Sequence, residues 1–195
     1  MKNVSYALGL SMAHNFLSSG IKNFDIERFA KALQDVYNGV KPEFDDQQAR
    51  MYVNQYFAEL QEKAGEENKK EGAAFLAENA KNEKVITTKS GLQYEIVVEG
   101  KGEKPSATST VRCHYEGRLI NGTVFDSSYR RNQPADFPVN QVIAGWTEAL
   151  QLMPVGSKWR LFIPSNLAYG EHGAGEAIAP NSTLIFDVEL LEIVK

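Results

Sequence analysis

The sequence predicts an α+β fold: an antiparallel sheet bent around one short helix, preceded by an all-α N-terminal domain and a long spacer helix. Three observations carry that prediction. Apolar residues recur at helical spacing from the N-terminus to about residue 83. From Ser90 onward the period drops to two. One helical segment, residues 142–153, interrupts the alternating stretches.

Tyr6, Leu10, Ala13 and Leu17 stand at i, i+4, i+7 and i+11 and mark a first helix. Ile26, Phe29, Ala30, Leu33, Tyr37 and Val40 make a second stripe, and Met51, Val53, Tyr56, Phe57 and Leu60 a third cluster. Asp25 and Asp45 occupy N-cap positions, and Gln48 completes a capping box with Asp45. Asn38-Gly39 followed by Pro42 closes the second helix. The third continues through residues 62–83, rich in Ala, Glu and Lys, with Gly65 and Gly72 each weakening it by about 1 kcal/mol. Such a helix, polar on nearly all sides, is expected to bridge solvent as a spacer. From residue 45 to about 82 it would run roughly 55 Å. The expected organisation is residues 1–44 as a helical dimerisation domain, 45–83 as a long helix whose first part joins the dimer core, and 84–195 as the domain built on the sheet. Three short helices in about 60 residues make a marginal core. The expectation is therefore a homodimer through residues 1–60, with Gly9 and Ala13 allowing close approach.

In the C-terminal part, Val111, Cys113 and Tyr115 alternate with Arg112, His114 and Glu116. Trp159, Leu161 and Ile163 share a face, as do Leu184, Phe186, Val188 and Leu190. Asn121-Gly122 signals a hairpin turn between residues 118–120 and 123–125. In the helical segment, Ile143, Trp146, Ala149, Leu150 and Met153 lie on one side.

Composition narrows the function classes. With 43% apolar and 24% charged residues the chain reads as soluble and globular, and a formal charge of −4 argues against nucleic acid. No apolar run approaches the roughly 20 residues of a membrane span. The N-terminus reads as a helix of the folded protein and not as a signal peptide. A lone Cys113 excludes an internal disulfide framework and fits a reducing compartment. His14, His114 and His172 are too dispersed for a metal site, so neither metal nor cofactor is expected. Arg130-Arg131 reads as a solvated loop pair.

The candidate chemistry is a pocket. Tyr115, Phe125, Phe137, Trp146, Tyr169 and Phe186 come from different elements, and taken singly each reads as core. Asp126 follows Val124-Phe125 with no acid, histidine or cysteine close by in sequence. Rings from many elements plus one carboxylate suggest a concave apolar site with few polar groups.

The succession Val111-Arg-Cys-His-Tyr115-Glu-Gly117, Gly122-Thr-Val-Phe125-Asp126, Val142-Ile143-Ala-Gly145-Trp146, Gly156-Ser-Lys-Trp159, Leu167-Ala-Tyr169-Gly170 and Thr183-Leu-Ile-Phe186 resembles the FKBP-type peptidyl-prolyl cis/trans isomerases. The helical segment before it is similar to the bacterial macrophage-infectivity-potentiator-like subgroup, whose N-terminal part dimerises. The resemblance implies a rotamase acting on X–Pro bonds and assisting protein folding. It makes Trp146 the pocket floor, with Tyr115, Phe125, Phe186, Val142 and Ile143 as walls and Ile178 at the rim. Tyr169 and the Ile143 N–H would bond the peptide carbonyls, and Asp126 would lie at the wall beside Tyr115. Proline-containing polypeptides and macrolides such as rapamycin are the implied partners. Two positions depart from many relatives: Ala135 replaces a wall aromatic two residues before Phe137, and Ala179 replaces a rim proline. Both bear on side-chain preference. The rival class is a non-catalytic dimeric clamp for unfolded chains. The expected location is cytoplasmic, with periplasm or cell surface as the alternative if a signal peptide has been removed.

Overall fold

A computed structural model of the protein describes residues 1–194, which divide into two compact units, Met1–Leu60 and the residues from Gln61 on. The first unit contains α1 (Lys2–Ser18), α2 (Ile26–Tyr37) and the first part of α3 (Asp46–Asn79). Its helix ends form as the sequence dictates. Asp25 accepts the Arg28 N–H at 2.9 Å. Asp45 and Gln48 cap reciprocally, Gln48 N–H to Asp45 at 2.8 Å and Asp45 N–H to Gln48 at 3.2 Å, which satisfies two otherwise orphaned donors. Gly39, at φ 67°, terminates α2. Phe16, Phe24 and Phe29 meet edge to face with centroids 5.3 to 5.7 Å apart. Yet none of the first 60 residues is buried.

The second unit is a seven-stranded antiparallel sheet: β1 (Val85–Thr87), β2 (Gln93–Val98), β3 (Thr110–Leu119), β4 (Val124–Ser127), β5 (Ala135–Pro138), β6 (Lys158–Ile163) and β7 (Leu184–Val194). The order is β1-β2-β6-β7-β3-β4, with β5 sharing the free edge of β3 with β4. The β3–β4 turn closes with Gly122 N–H donating to Leu119 and Gly122 at φ 87°. Strict alternation puts Val111, Cys113 and Tyr115 inward on β3 and Leu184, Phe186, Val188 and Leu190 inward on β7. Those rows, with Trp159, Leu161 and Ile163 of β6, close over Trp146, Ala149 and Leu150 of α4 (Ala144–Leu152). Each fully buried Leu, Ile or Val here contributes about 1.5–3 kcal/mol.

The structure differs from the sequence reading over residues 62–83. The helix ends at Asn79, and its second half packs on the sheet unit instead of standing in solvent. Gly65 and Gly72 are buried, and Asn68, Phe75, Leu76 and Asn79 are partly buried. These positions form one stripe at i, i+3, i+7, i+10, i+11 and i+14. Phe75 meets Phe162 at 5.9 Å, on the opposite face of β6 from its buried neighbours Leu161 and Ile163. Gln93 donates to the Leu76 carbonyl and accepts from the Asn79 amide, both at 2.9 Å. The stripe escapes a hydrophobicity count because glycine and asparagine supply four of its six positions.

Candidate active site

Pairing along β3 sets the geometry. Gly117 lies opposite Asp126 on β4 and opposite Phe186 on β7. A Cβ at Gly117 would come within 2.6 Å of both Phe125 and Phe186, so the missing side chain is what lets those two rings stand edge to face over the sheet. Trp146, in the first turn of α4, is 3% exposed. Three rings stand on it edgewise: Tyr115 at 5.4 Å, Phe137 of β5 at 5.3 Å and Phe186 at 5.4 Å. Edge-to-face rings at such distances attract beyond simple burial, so the four rings support one another.

The enclosed space is a cavity of about 360 Å³. Its walls comprise every sequence-predicted site residue: Tyr115, Phe125, Asp126, Phe137, Val142, Ile143, Trp146, Tyr169, Ile178 and Phe186. Gln141 lines it too and was not foreseen; it sits in the 3₁₀ turn leading into Val142. The Ile143 carbonyl caps α4 by accepting from Trp146 and Thr147, while its N–H has no protein acceptor among the described residues.

One polar cluster interrupts this apolar lining. The Tyr115 hydroxyl donates to Asp126 at 2.5 Å. Arg131 donates to the other Asp126 oxygen and, at 2.8 Å, to the Tyr115 hydroxyl, with its guanidinium 5.7 Å from the Tyr115 ring centroid. Arg131 is therefore no free loop cation; only the fold of the 129–132 turn brings it back to Asp126. Partial burial pushes the Asp126 carboxyl up, but the hydrogen bonds from Tyr115 and Arg131 outweigh it and hold the group below the usual carboxylate range. Burial, then the carboxylate, raises the Tyr115 phenol. At neutral pH the arrangement is one carboxylate with both oxygens engaged, hence a fixed charge and not a proton carrier. Among the described residues no cluster of His, Cys, Asp and Glu could hold a metal ion, and no helix is long and apolar enough to cross a membrane.

A half-wrapped sheet over one helix, holding an aromatic cup with a single engaged carboxylate, defines a protein with a small, mostly apolar binding site. Residues 101–191 match the family described as FKBP-type peptidyl-prolyl cis-trans isomerase, and residues 1–96 match the domain amino terminal to it. The FKBP-type 22 kDa peptidyl-prolyl cis-trans isomerase of Escherichia coli K12 is 46% identical, the alignment covering 97% of this chain and 94% of that relative. The outer membrane protein MIP of Legionella longbeachae is 41% identical over 98% of this chain and 85% of its own length. The crystal structure of FkpA from Escherichia coli superposes with a TM-score of 0.78 at 36% identity, covering 98% of this chain and 95% of that one. The chain belongs to the FKBP-type peptidyl-prolyl cis-trans isomerases, and its activity is rotation about X–Pro bonds.

Proposed function

We propose that the aromatic cup is the catalytic site and that it works by differential binding of the twisted amide. The supporting observation is that one cavity gathers six aromatic side chains and Asp126, whose two oxygens are both already engaged. Rotation breaks amide resonance, which is why the barrier is about 18–20 kcal/mol. No covalent bond need break; the site has only to favour the twisted state over both planar ones. The twisted amide has lost much of its charge separation, so a dry wall of Tyr, Phe and Trp suits it better than it suits the planar substrate. Trp146 seats the proline ring, with Phe125, Phe137, Val142 and Phe186 around it. The Ile143 N–H and the Tyr169 hydroxyl hold the flanking carbonyls. A roughly 10⁵-fold acceleration needs about 7 kcal/mol, within reach of burial, orientation and two hydrogen bonds. Asp126 acts as a fixed charge that orients Tyr115 at the wall. Asp126→Ala and Asp126→Asn are expected to lower kcat/KM about tenfold or more, with the circular dichroism spectrum unchanged. Full activity in both would reduce Asp126 to a turn residue. Rapamycin is expected to compete with peptide for the same cup.

The enzyme works, in this reading, as a homodimer through residues 1–60 that assists folding of proline-containing chains. Tyr6, Leu8, Leu10 and Leu17 of α1 are 77%, 61%, 50% and 57% exposed in the single chain, and α1 and α2 bury no residue. So much uncovered apolar surface on so short a segment calls for a second copy. Leu10→Glu is expected to convert the dimer to monomer in sedimentation velocity; a monomeric parent protein would sink the proposal. For compartment, the outer-membrane name of the Legionella relative favours the periplasmic or surface alternative, and the cytoplasmic expectation gains no such support.

A further inference from the structure

The rim of the cup lies on the segment from Tyr169 to Thr183, which contributes Tyr169 and Ile178 to the cavity. That segment has little regular structure. Ala174 and Ile178 exchange backbone hydrogen bonds of 2.8 and 3.1 Å, which fold it into a small hairpin with Ile178 at its returning end. The base of the hairpin closes where the Asn181 N–H donates to the Gly170 carbonyl at 2.8 Å, directly after Tyr169. Between Ile178 and that closure stands Pro180. A proline has no N–H to tie it to the loop, so its carbonyl is its one backbone polar group.

That carbonyl accepts the side-chain amide of Asn68, from the second half of α3, at 2.9 Å. The helix backbone runs close alongside: a Cβ on Gly65 would lie 3.1 Å from Pro180 Cβ and 3.3 Å from the Asn181 amide. We propose that Asn68 is a positioning residue for the isomerase pocket, its amide clamping the base of the 169–183 segment so that Tyr169 and Ile178 stay at the rim. Asn68 itself lines no part of the cup. It acts through Pro180 and Asn181 on one side of the loop and through Gly170 on Tyr169 at the other.

This inference rests on the reading that Tyr169 and Ile178 touch substrate, and it goes further by giving a helix outside the sheet a part in substrate affinity. The expected signature follows from the physics. A loosened rim lowers the fraction of enzyme competent to bind, so apparent affinity falls by that fraction. The incompetent fraction binds neither planar nor twisted substrate, while the competent fraction keeps every contact of the cup, Tyr169 included, so KM rises while kcat stays. Losing one amide–carbonyl bond predicts a KM rise of roughly three- to tenfold.

The test is a protease-free isomerisation assay on the full chain, comparing Asn68→Ala with Asn68→Asp, which keeps the volume but removes the donor. Asn79→Ala serves as the control: it breaks a different side-chain amide contact of α3, to Gln93 on β2, and leaves the Asn68–Pro180 bond in place. The proposal expects both Asn68 variants to raise KM with kcat intact, and Asn79→Ala to lower the unfolding midpoint without moving KM. A KM unchanged in both Asn68 variants, while Ile178→Ala raises it, overturns the clamp alone. No KM change in any of the three removes the rim from the binding site as well. An equal KM rise in Asn68→Ala and Asn79→Ala overturns the clamp in favour of general loosening.

Discussion

Gly72→Ala sets two opposing effects against each other at a single atom. At an open helical position the change stabilises by about 1 kcal/mol, because alanine loses less backbone freedom on folding. Here the new Cβ would collide with Thr183 Oγ1 and stand 3.1 Å from Thr183 Cβ. Thr183 is 5% exposed and leads directly into Leu184, which is fully buried at the start of β7, so it has little room to yield. Overpacking of this kind costs about 1–3 kcal/mol. The net expectation is a destabilisation of about 0–2 kcal/mol instead of a gain. Both tryptophans, Trp146 and Trp159, lie in the sheet unit, so urea unfolding followed by their fluorescence reports that unit alone. Adding Thr183→Ala removes the colliding oxygen and should recover part of the loss, a positive coupling that distinguishes collision from a helix effect. If Gly72→Ala alone raises stability by the full helical increment, the second half of α3 does not pack on the sheet, and the argument for its stripe fails.

The Asp126 carboxyl sits below the usual range because hydrogen bonds from Tyr115 and Arg131 overcome partial burial. Its contribution to stability and activity is therefore complete above the unfolded value of about 3.9 and is lost only as pH falls through the lower folded value. A kcat/KM profile of the native enzyme is expected to be flat, as regards this group, from pH 8 to 5; a carboxylate inflection near pH 6 would contradict the geometry. Burial, and secondarily the charge of Asp136, pushes the Cys113 thiol up to about 12. Iodoacetamide should leave it unmodified in the native protein at pH 7.5 and alkylate it quickly in denaturant, as mass spectrometry would record. Rapid native labelling would mean that β3 opens.

Elements whose signal is local were legible in the amino-acid order. Period-two alternation places Val111, Cys113 and Tyr115, and later Leu184 to Leu190, on one face whatever the partner strand is, because side chains alternate along any strand. The two aspartate caps, the Asn38-Gly39 stop and the Asn121-Gly122 turn are legible for the same reason: each is satisfied by atoms a few residues away. The spread of six aromatics over different elements and the lone Asp126 marked out a pocket, and the resemblance then added Val142, Ile143 and Ile178 and the role of each residue. The long-range pairings came only with the folded chain. Arg131 reads as solvated until the 129–132 turn returns it to Asp126 and Tyr115, and Gln141 joins the cavity only because a 3₁₀ turn precedes α4. The second half of α3 is the largest difference. Its contact stripe is built from Gly65, Asn68, Gly72 and Asn79, residues that on a helix register as weakness or polarity. Close backbone approach needs the absence of a side chain, and an amide is worth burying only where a carbonyl meets it. For Gly65, Asn68 and Gly72 that surface lies more than 100 residues away along the chain, and for Asn79 it lies on the sheet, so none leaves a mark in the local pattern.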